Sequence, residues 1–275
     1  MGTAKCLFFS LSLVMIRGTG ALAASQEIEF RLQDGYRIVV TGSIAGVDGI
    51  AMMIDTGATC SLVDKKLVQR FDLTALVESV RYNAFGRTES THRAILRALR
   101  IGPILTTLPC LVVDIPYRHV DAIIGLDLLR KYPFTIDFEA KRLTFGPGEL
   151  LGETISFDPS GSLVLVPIHV GGEVLQVMVD TGADCLYLFK CRVGAGITAN
   201  SVRSALTSTH LAGKSRIRET RLEKVEIGEA VWRDLQALIV DAAEAPGCDG
   251  ALGIALLGLK QIHIDFRQGT LSFRR

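Results

Sequence analysis

The 275-residue sequence carries one pattern twice, and the repeat extends over most of its length. Residues 54–60 (IDTGATC) match residues 179–185 (VDTGADC), 125 positions later. Residues 121–129 (DAIIGLDLL) match residues 249–257 (DGALGIALL), 128 positions later. Because the offset changes so little between these runs, the sequence predicts a duplicated structural unit rather than two chance motifs.

The repeat divides the chain into two units of about 120 residues each. The first unit is predicted at residues 26–145 and the second at residues 162–275. The segment between them, residues 146–161, is rich in glycine, proline and serine and is predicted to be a linker.

Short runs of β-branched residues predict strands in both units. Asp48-Gly49 and Gly171-Gly172 predict the hairpin turns that precede the two Asp-Thr-Gly runs, because these residues tolerate a positive φ. Helical patterns are short and occur at residues 64–70, 126–132 and 254–260. We therefore expect a mainly β architecture with small helices.

The composition excludes several classes of function. Hydrophobic residues make up 48% of the chain and the formal net charge is +1. This is not the composition of a disordered chain, and it gives no electrostatic case for a nucleic-acid partner. The five histidines show no spacing typical of metal ligands. No metal, cofactor or nucleic acid is therefore predicted.

Residues 1–23 are predicted to be a signal peptide. Residues 6–16 form an apolar run that is too short to span a bilayer comfortably, and Ala21-Leu22-Ala23 offers a small-x-small cleavage site. The predicted location is periplasmic or secreted, with no stable membrane association after cleavage. An uncleaved membrane anchor is the alternative.

Removal of this segment leaves an odd number of cysteines, so at least one thiol is expected to be unpaired. Cys60 and Cys185 hold equivalent places in the two copies and are expected to be small buried apolar residues. The sequence leaves the pairing open among Cys60, Cys110, Cys185, Cys191 and Cys248.

Each Asp-Thr-Gly run places an aspartate at the end of an apolar run. The glycine allows a tight turn, and the threonine hydroxyl can hold that turn or reach the other copy. If the two copies face each other, Asp55 and Asp180 lie close together, and like charges at that range favour a shared proton. One carboxylate can then accept a proton from water while the other carboxyl donates one to a carbonyl oxygen.

This pattern resembles the retropepsin-like (clan AA) aspartic proteases of the bacterial type, with two tandem units in one chain. The resemblance rests on Asp-Thr-Gly-Ala in both copies and on the second signature, two apolar residues and a glycine, at Ile123-Ile124-Gly125 and Ala251-Leu252-Gly253. It implies a mainly β, bilobal acid-protease fold, retropepsin- or pepsin-like. In this fold two duplicated β-barrel-like units with short helices are related by a pseudo-twofold axis.

The resemblance also implies roles for matching positions. Asp55 and Asp180 correspond to the catalytic pair. Support of the catalytic loops is implied for Thr56, Gly57, Thr181 and Gly182. Contact with substrate or a place in a flap is implied for Ala58, Ala183, Gly86 and Gly213. Thr59 stands where the second copy has Asp184, so the two sides of the cleft need not be equivalent.

The sequence therefore predicts an aspartic endopeptidase that hydrolyses peptide bonds with water activated between two aspartates, one from each repeat. The predicted partner is a peptide or protein substrate, and the predicted state is a monomer with an intramolecular pair of aspartates. Two alternatives stay open. One is a non-catalytic peptide-binding module of retropepsin fold, and the other is a protease active only as an intermolecular dimer.

Overall fold

The computed structural model describes residues 26–71, 75–84, 87–198, 202–210, 213–241 and 247–275. The predicted signal peptide and Gly86, one of the two predicted flap glycines, lie outside these residues. Within the described part, no helix is long and apolar enough to cross a membrane. All five cysteines of that part are free thiols.

The first lobe is built mainly from strands. Its strands are β1 (Gln26–Gln33), β2 (Arg37–Ile44), β3 (Val47–Ile54), β4 (Leu62–Asp64), β5 (Ala75–Ala84), β6 (Arg87–Ile101), β7 (Ile104–Val113), β8 (Ala122–Ile124), β9 (Phe134–Asp137) and β10 (Arg142–Phe145). Its helices are α1 (Lys65–Arg70) and α2 (Leu126–Leu129).

The second lobe follows the same plan. Its strands are β11 (Glu153–Ser156), β12 (Leu165–Val170), β13 (Glu173–Asp180), β14 (Leu186–Phe189), β15 (Val202–His210), β16 (Gly213–Ile227), β17 (Ala230–Val240), β18 (Gly250–Gly253), β19 (Gln261–Asp265) and β20 (Thr270–Arg274). Its helices are α3 (Ala195–Thr198) and a 3₁₀ helix (Ile254–Leu257).

The two lobes share one strand order. In the first lobe the order is β2-β3-β8-β4-β7-β6-β5, and in the second it is β12-β13-β18-β14-β17-β16-β15. Further pairing of β2 with β6, and of β12 with β16, curls each sheet towards a barrel. The predicted mainly β, two-lobed fold is confirmed.

In each lobe the strand that leads to an Asp-Thr-Gly run pairs in parallel with an apolar-apolar-Gly strand. These pairs are β3 with β8 and β13 with β18. Strand β3 ends in Met52, Met53 and Ile54, all buried, because both faces of the sheet are covered at this point. The two sequence signatures of each unit therefore meet at the end of one parallel pair.

A sheet shared by both lobes joins them. Strands β11, β20, β19, β9, β10 and β1 lie side by side in that order. At its centre β9 and β19 run antiparallel, with Thr135 opposite His263. These two residues are 128 positions apart, which is the offset between matching positions of the two units in this region. Thr135 and His263 are therefore equivalent, and a pseudo-twofold axis passes between them.

Strand β11 lies inside the segment predicted to be a linker. It pairs with β20 with Ile155 opposite Leu271, as β1 pairs with β10 with Ile28 opposite Leu143. In the second lobe β11 thus takes the place of the first half of β1. The sequence pattern did not reveal it because only Ile155 of this short strand is buried.

Two local predictions need correction. The turn between β2 and β3 is formed by Ala45 and Gly46, both with positive φ, rather than by Asp48-Gly49. The helix predicted at 254–260 is a single 3₁₀ turn, because Gly258 adopts a left-handed conformation and ends it. The turn at Gly171-Gly172 is confirmed, since both glycines have positive φ between β12 and β13.

Candidate active site

The two aspartates stand where the central strands of the two lobes end. Asp55 follows β3, and its backbone N–H donates to the carbonyl of Ile124 in β8 over 3.0 Å. Asp180 is the last residue of β13 and lies opposite Gly253 of β18. Both are buried, with 9% of Asp55 and 6% of Asp180 exposed. Buried carboxyls need hydrogen-bond donors around them.

Each carboxyl receives a hydrogen bond from its own loop. The N–H of Gly57 donates to Oδ1 of Asp55 over 2.9 Å, and the N–H of Gly182 donates to Oδ1 of Asp180 over 2.7 Å. The same contact in both lobes fixes the two carboxyl groups in equivalent orientations.

The two threonines tie each loop to the opposite lobe. The hydroxyl of Thr56 donates to the carbonyl of Val179 over 2.7 Å and accepts from the N–H of Thr181 over 3.1 Å. The hydroxyl of Thr181 donates to the carbonyl of Ile54 over 2.8 Å and accepts from the N–H of Thr56 over 3.1 Å. Both side chains are buried, so these bonds are shielded from water.

The carboxyls of Asp55 and Asp180 are in hydrogen-bond contact with each other. The loop glycines allow this approach. A Cβ atom on Gly57 would lie 2.5 Å from Cγ of Asp180, and one on Gly182 would lie 3.0 Å from Cγ of Asp55. Each glycine therefore packs against the carboxyl of the other lobe, where no side chain fits.

The surroundings of the two carboxyls differ. Burial raises the pKa of Asp55, while hydrogen bonds from Gly57 and Asp180 and the charge of Arg37 oppose the rise. Burial and then the charge of Asp55 raise the pKa of Asp180 well above its ordinary value. The two carboxyls can therefore share one proton, and the charge of Arg37 favours the ionised form of Asp55.

The glycines of the second signature lie under the aspartate loops. A Cβ on Gly125 would lie 2.7 Å from the carbonyl oxygen of Ala58, and one on Gly253 would lie 2.7 Å from that of Ala183. This close backbone packing explains why glycine follows the two apolar residues in both units.

The aspartates lie on a cleft of about 660 Å³ that is lined by residues of both lobes. Ala58 and Ala183, predicted to contact substrate, are among them. Tyr82 of β5 lines the first-lobe side, so the β5–β6 hairpin borders the cleft there. Gly213 begins β16 at the end of the β15–β16 hairpin.

A sequence model of a family described as aspartyl protease matches residues 40–128 and 166–260. The two segments together cover more than half of the chain, and each contains one Asp-Thr-Gly run. This chain belongs to the aspartyl protease family.

Two known proteins are similar to this chain. Protein DNA-DAMAGE INDUCIBLE 1 of Arabidopsis thaliana is 30% identical over 110 residues, which are 38% of this chain and 26% of that protein. The match therefore spans about a quarter of that relative's length. The crystal structure of aspartic proteinase from Irpex lacteus has a TM-score of 0.60 and 13% identity, covering 91% of this chain and 97% of that one. This second likeness shows a shared fold.

This family member has a polar network beside the Asp55 loop that sequence reasoning missed. Ser61 donates its N–H and its hydroxyl to the two carboxylate oxygens of Asp127 over 2.9 and 2.7 Å. The hydroxyl of Ser61 also accepts from the N–H of Gly125 over 3.0 Å. A signal was available in the sequence, because Asp127 interrupts an apolar run in which the second copy has Ala255.

Sequence reasoning also missed an arginine that stacks on two tyrosines in the cleft lining. The guanidinium of Arg37 lies 4.4 Å from the ring centroid of Tyr36 and 4.1 Å from that of Tyr117, and it pairs with Asp34. Burial raises the pKa of Tyr36 to about 12, and burial and then the charge of Asp55 raise the pKa of Tyr117 as well. Both tyrosines therefore stay neutral beside the aspartates.

Among the described residues, no group of three or more histidine, cysteine, aspartate or glutamate side chains could hold a metal ion. The carboxyls of Asp55 and Asp180 line the cleft and can share one proton.

Proposed function

We propose that this member of the aspartyl protease family is an aspartic endopeptidase in which Asp55 and Asp180 activate a water molecule. The observation that carries the proposal is the direct contact between two buried carboxyls, one from each lobe, on a cleft of about 660 Å³. The bacterial, retropepsin-like type with two tandem units belongs to the proposal, and the two matched segments support it.

In the proposed reaction Asp55 is the base and Asp180 is the acid. Asp55 takes a proton from water as the water oxygen bonds to the peptide carbonyl carbon, and Asp180 gives its proton to the carbonyl oxygen. The resulting gem-diol then collapses. One hydroxyl returns its proton to Asp180, the C–N bond breaks, and the leaving nitrogen takes the proton from Asp55. The cycle restores the starting protonation state without a covalent intermediate, metal or cofactor.

The intramolecular pair supports a monomer as the active form. Within one chain, the hydroxyls of Thr56 and Thr181 each donate a hydrogen bond to a backbone carbonyl of the opposite lobe. A second copy is therefore not needed to complete these hydrogen bonds. In an enzyme active only as an intermolecular dimer, activity would fall on dilution. Activity that is unchanged over a hundredfold dilution is the result expected of the monomer.

The decisive experiment replaces each aspartate separately, as Asp55→Asn and Asp180→Asn, and measures cleavage of a mixed peptide library. We expect each variant to lose activity by at least about 1,000-fold, because the amide can neither take nor give the proton in question. Asp114→Asn is the matched control, since Asp114 is exposed and pairs only with the exposed Lys65 among the described residues.

Full activity in either aspartate variant would overturn the shared-proton mechanism. A wild-type protein that binds peptides and cleaves none of them between pH 3 and pH 8 would point to the non-catalytic module.

We also propose that the protein is exported and that residues 1–23 are removed. The apolar run and the Ala21-Leu22-Ala23 site support this proposal. Expression in a bacterial host with N-terminal sequencing of the periplasmic fraction tests it, and a mature chain beginning at Ala24 is expected. An intact N-terminus in the membrane fraction would indicate an uncleaved anchor instead.

A further inference from the structure

The strand registers show which cleft positions of the two lobes are equivalent. The first wall is the side of the cleft that the first lobe lines, and the second wall is the side that the second lobe lines. Val39 of β2 lies opposite Met53, and Leu165 of β12 lies opposite Met178, the residue equivalent to Met53. Two positions before each of these strand residues stand Arg37 and Leu163, and both line the cleft. A cation in the first wall thus corresponds to an apolar residue in the second.

A second pair of equivalent positions carries opposite charges. Arg93 of β6 lies opposite Leu111, and Glu219 of β16 lies opposite Leu238. Leu111 and Leu238 are themselves equivalent, because each lies in the strand that pairs in parallel with the strand after the aspartate loop. The position that Arg93 holds in the first lobe is therefore held by Glu219 in the second lobe.

The charges of this second pair act on the same cysteine position in the two lobes. Burial and then the charge of Asp127 raise the pKa of the Cys60 thiol, and the charge of Arg93 opposes the rise. Burial likewise raises the pKa of Cys185 to about 11, and there Asp184 and Glu219 add to the rise. The equivalent residues Arg93 and Glu219 therefore act with opposite sign on equivalent thiols.

The third pair consists of Thr59 and Asp184, which both line the cleft. Asp184 is exposed and accepts a hydrogen bond from the hydroxyl of Tyr187 over 2.7 Å. Arg93 is also exposed and forms no ion pair within the described part of the chain. These two side chains are thus the charged groups best placed to meet a ligand at the two walls.

Besides Arg93 and Asp55, the first-lobe side of the cleft carries the charged residues Arg81, Asp127 and Arg37. Arg81 adds a further cation to the lining. Asp127 is an anion there, but Ser61 occupies both of its oxygens with hydrogen bonds. Arg37 stacks on two tyrosines and is shared with Asp34, so its charge is directed less towards a ligand than that of Arg93.

We propose that the cleft is electrically polarised across the pseudo-twofold axis and selects peptides by the order of their charges. An acidic side chain of the peptide would lie against Arg93, and a basic side chain on the other side of the scissile bond would lie against Asp184. Two identical walls would accept a charge pattern in either chain direction, whereas opposite walls accept one direction and repel the other. This inference rests on the proposed function, since it needs a peptide in the cleft.

The test uses two peptides of equal composition that differ only in charge order. One has the order acidic, apolar, apolar, basic, and the other has the reverse order. We expect the wild-type kcat/KM values to differ by about tenfold, because two partly screened charge pairs change from attractive to repulsive. The preference should shrink when salt is raised from about 0.05 to about 0.5 M.

Charge reversal of the walls makes the test specific. In the double variant Arg93→Glu/Asp184→Lys the preferred order should invert. The control Arg97→Glu makes the same charge change on an exposed residue of the same strand outside the cleft lining, and it should keep the wild-type preference. If the double variant does not fold, the single variants Arg93→Gln and Asp184→Asn should each reduce the preference.

The outcomes separate this inference from the proposed function. Equal cleavage of both peptides, or a preference that the wall variants leave unchanged, overturns the polarity and leaves the protease intact. If neither peptide is cleaved, their binding to the wild-type protein is measured by fluorescence anisotropy. A preference for one charge order in binding then supports the polarised cleft although the protease proposal has failed, and equal or absent binding overturns it.

Discussion

The hydroxyl of Thr135 lies 2.8 Å from Nδ1 of His263, at the point where the pseudo-twofold axis crosses the sheet shared by the lobes. His263 is 2% exposed. Burial lowers the pKa of His263, and the charge of Asp265 opposes this only in part. A neutral imidazole is therefore built into the contact between the two lobes.

We expect this histidine to make the protein less stable in acid. Because its pKa is lower in the folded than in the unfolded protein, unfolding takes up a proton once the pH drops below about 6.5. The free energy of unfolding should therefore decrease from about pH 6.5 downwards until the folded pKa is reached. Urea unfolding at pH 7.5, 6.0 and 5.0 measures this. His263→Asn keeps a hydrogen-bonding group near Thr135 and should weaken the pH dependence in that range; an unchanged slope would contradict the assignment.

The interlocked threonines should contribute strongly to stability. In Thr56→Val the carbonyl of Val179 and the N–H of Thr181 lose their partners while they stay buried, at a cost of about 1–3 kcal/mol each. We expect a loss of about 2–5 kcal/mol in the free energy of unfolding, measured with urea. Thr56→Ser retains the hydroxyl and should keep most of the wild-type free energy of unfolding. A Thr56→Val protein within about 0.5 kcal/mol of wild type would exclude the interlock as a stabilising element.

The glycine that packs on the opposite carboxyl should be needed for activity. In Gly57→Ala the new methyl group would lie 2.5 Å from Cγ of Asp180, so the two carboxyls must separate. A displacement of this kind is expected to lower kcat by about 100-fold. Gly196→Ala in α3 is the control, because a Cβ there meets nothing within 4 Å. Equal activity of the two alanine variants would show that the close approach is not required.

The pH profile of kcat/KM should be bell-shaped and should depend on Arg37. The charge of Arg37 favours the ionised form of Asp55, so its removal raises the pKa of Asp55. In Arg37→Gln the acidic limb of the profile should move to higher pH, because Asp55 must be ionised to act as the base. Arg97→Gln, outside the cleft lining, should leave the limb in place. A limb that stays in place or moves to lower pH in Arg37→Gln would contradict this assignment.

The sequence predicted the parts of the fold whose motifs occur in both units. Asp55 and Asp180 could be paired from the sequence alone, because each lies in the same run at nearly the same distance from an apolar-apolar-Gly signature. The mainly β architecture followed from the short β-branched runs and turn residues that recur in both units.

The parts that were missed depend on contacts between distant segments. Arg37 and Tyr117 are 80 positions apart and meet only through the folding of the first lobe, and neither belongs to a repeated motif. The opposed charges of Arg93 and Glu219 became visible only when strand register aligned the lobes residue by residue. Divergence between copies hides such positions from a search for similarity.

The crossed hydrogen bonds of Thr56 and Thr181 couple the assembly of the two aspartate loops. The hydroxyl that orders one aspartate loop finds its carbonyl partner in the other lobe, so neither lobe completes the hydrogen bonds of its aspartate loop alone. A chain in which only one barrel has folded lacks the second carboxyl with which a proton is shared. Hydrolytic competence is therefore expected to appear in a single cooperative event, when the lobes dock, and to vanish when they part.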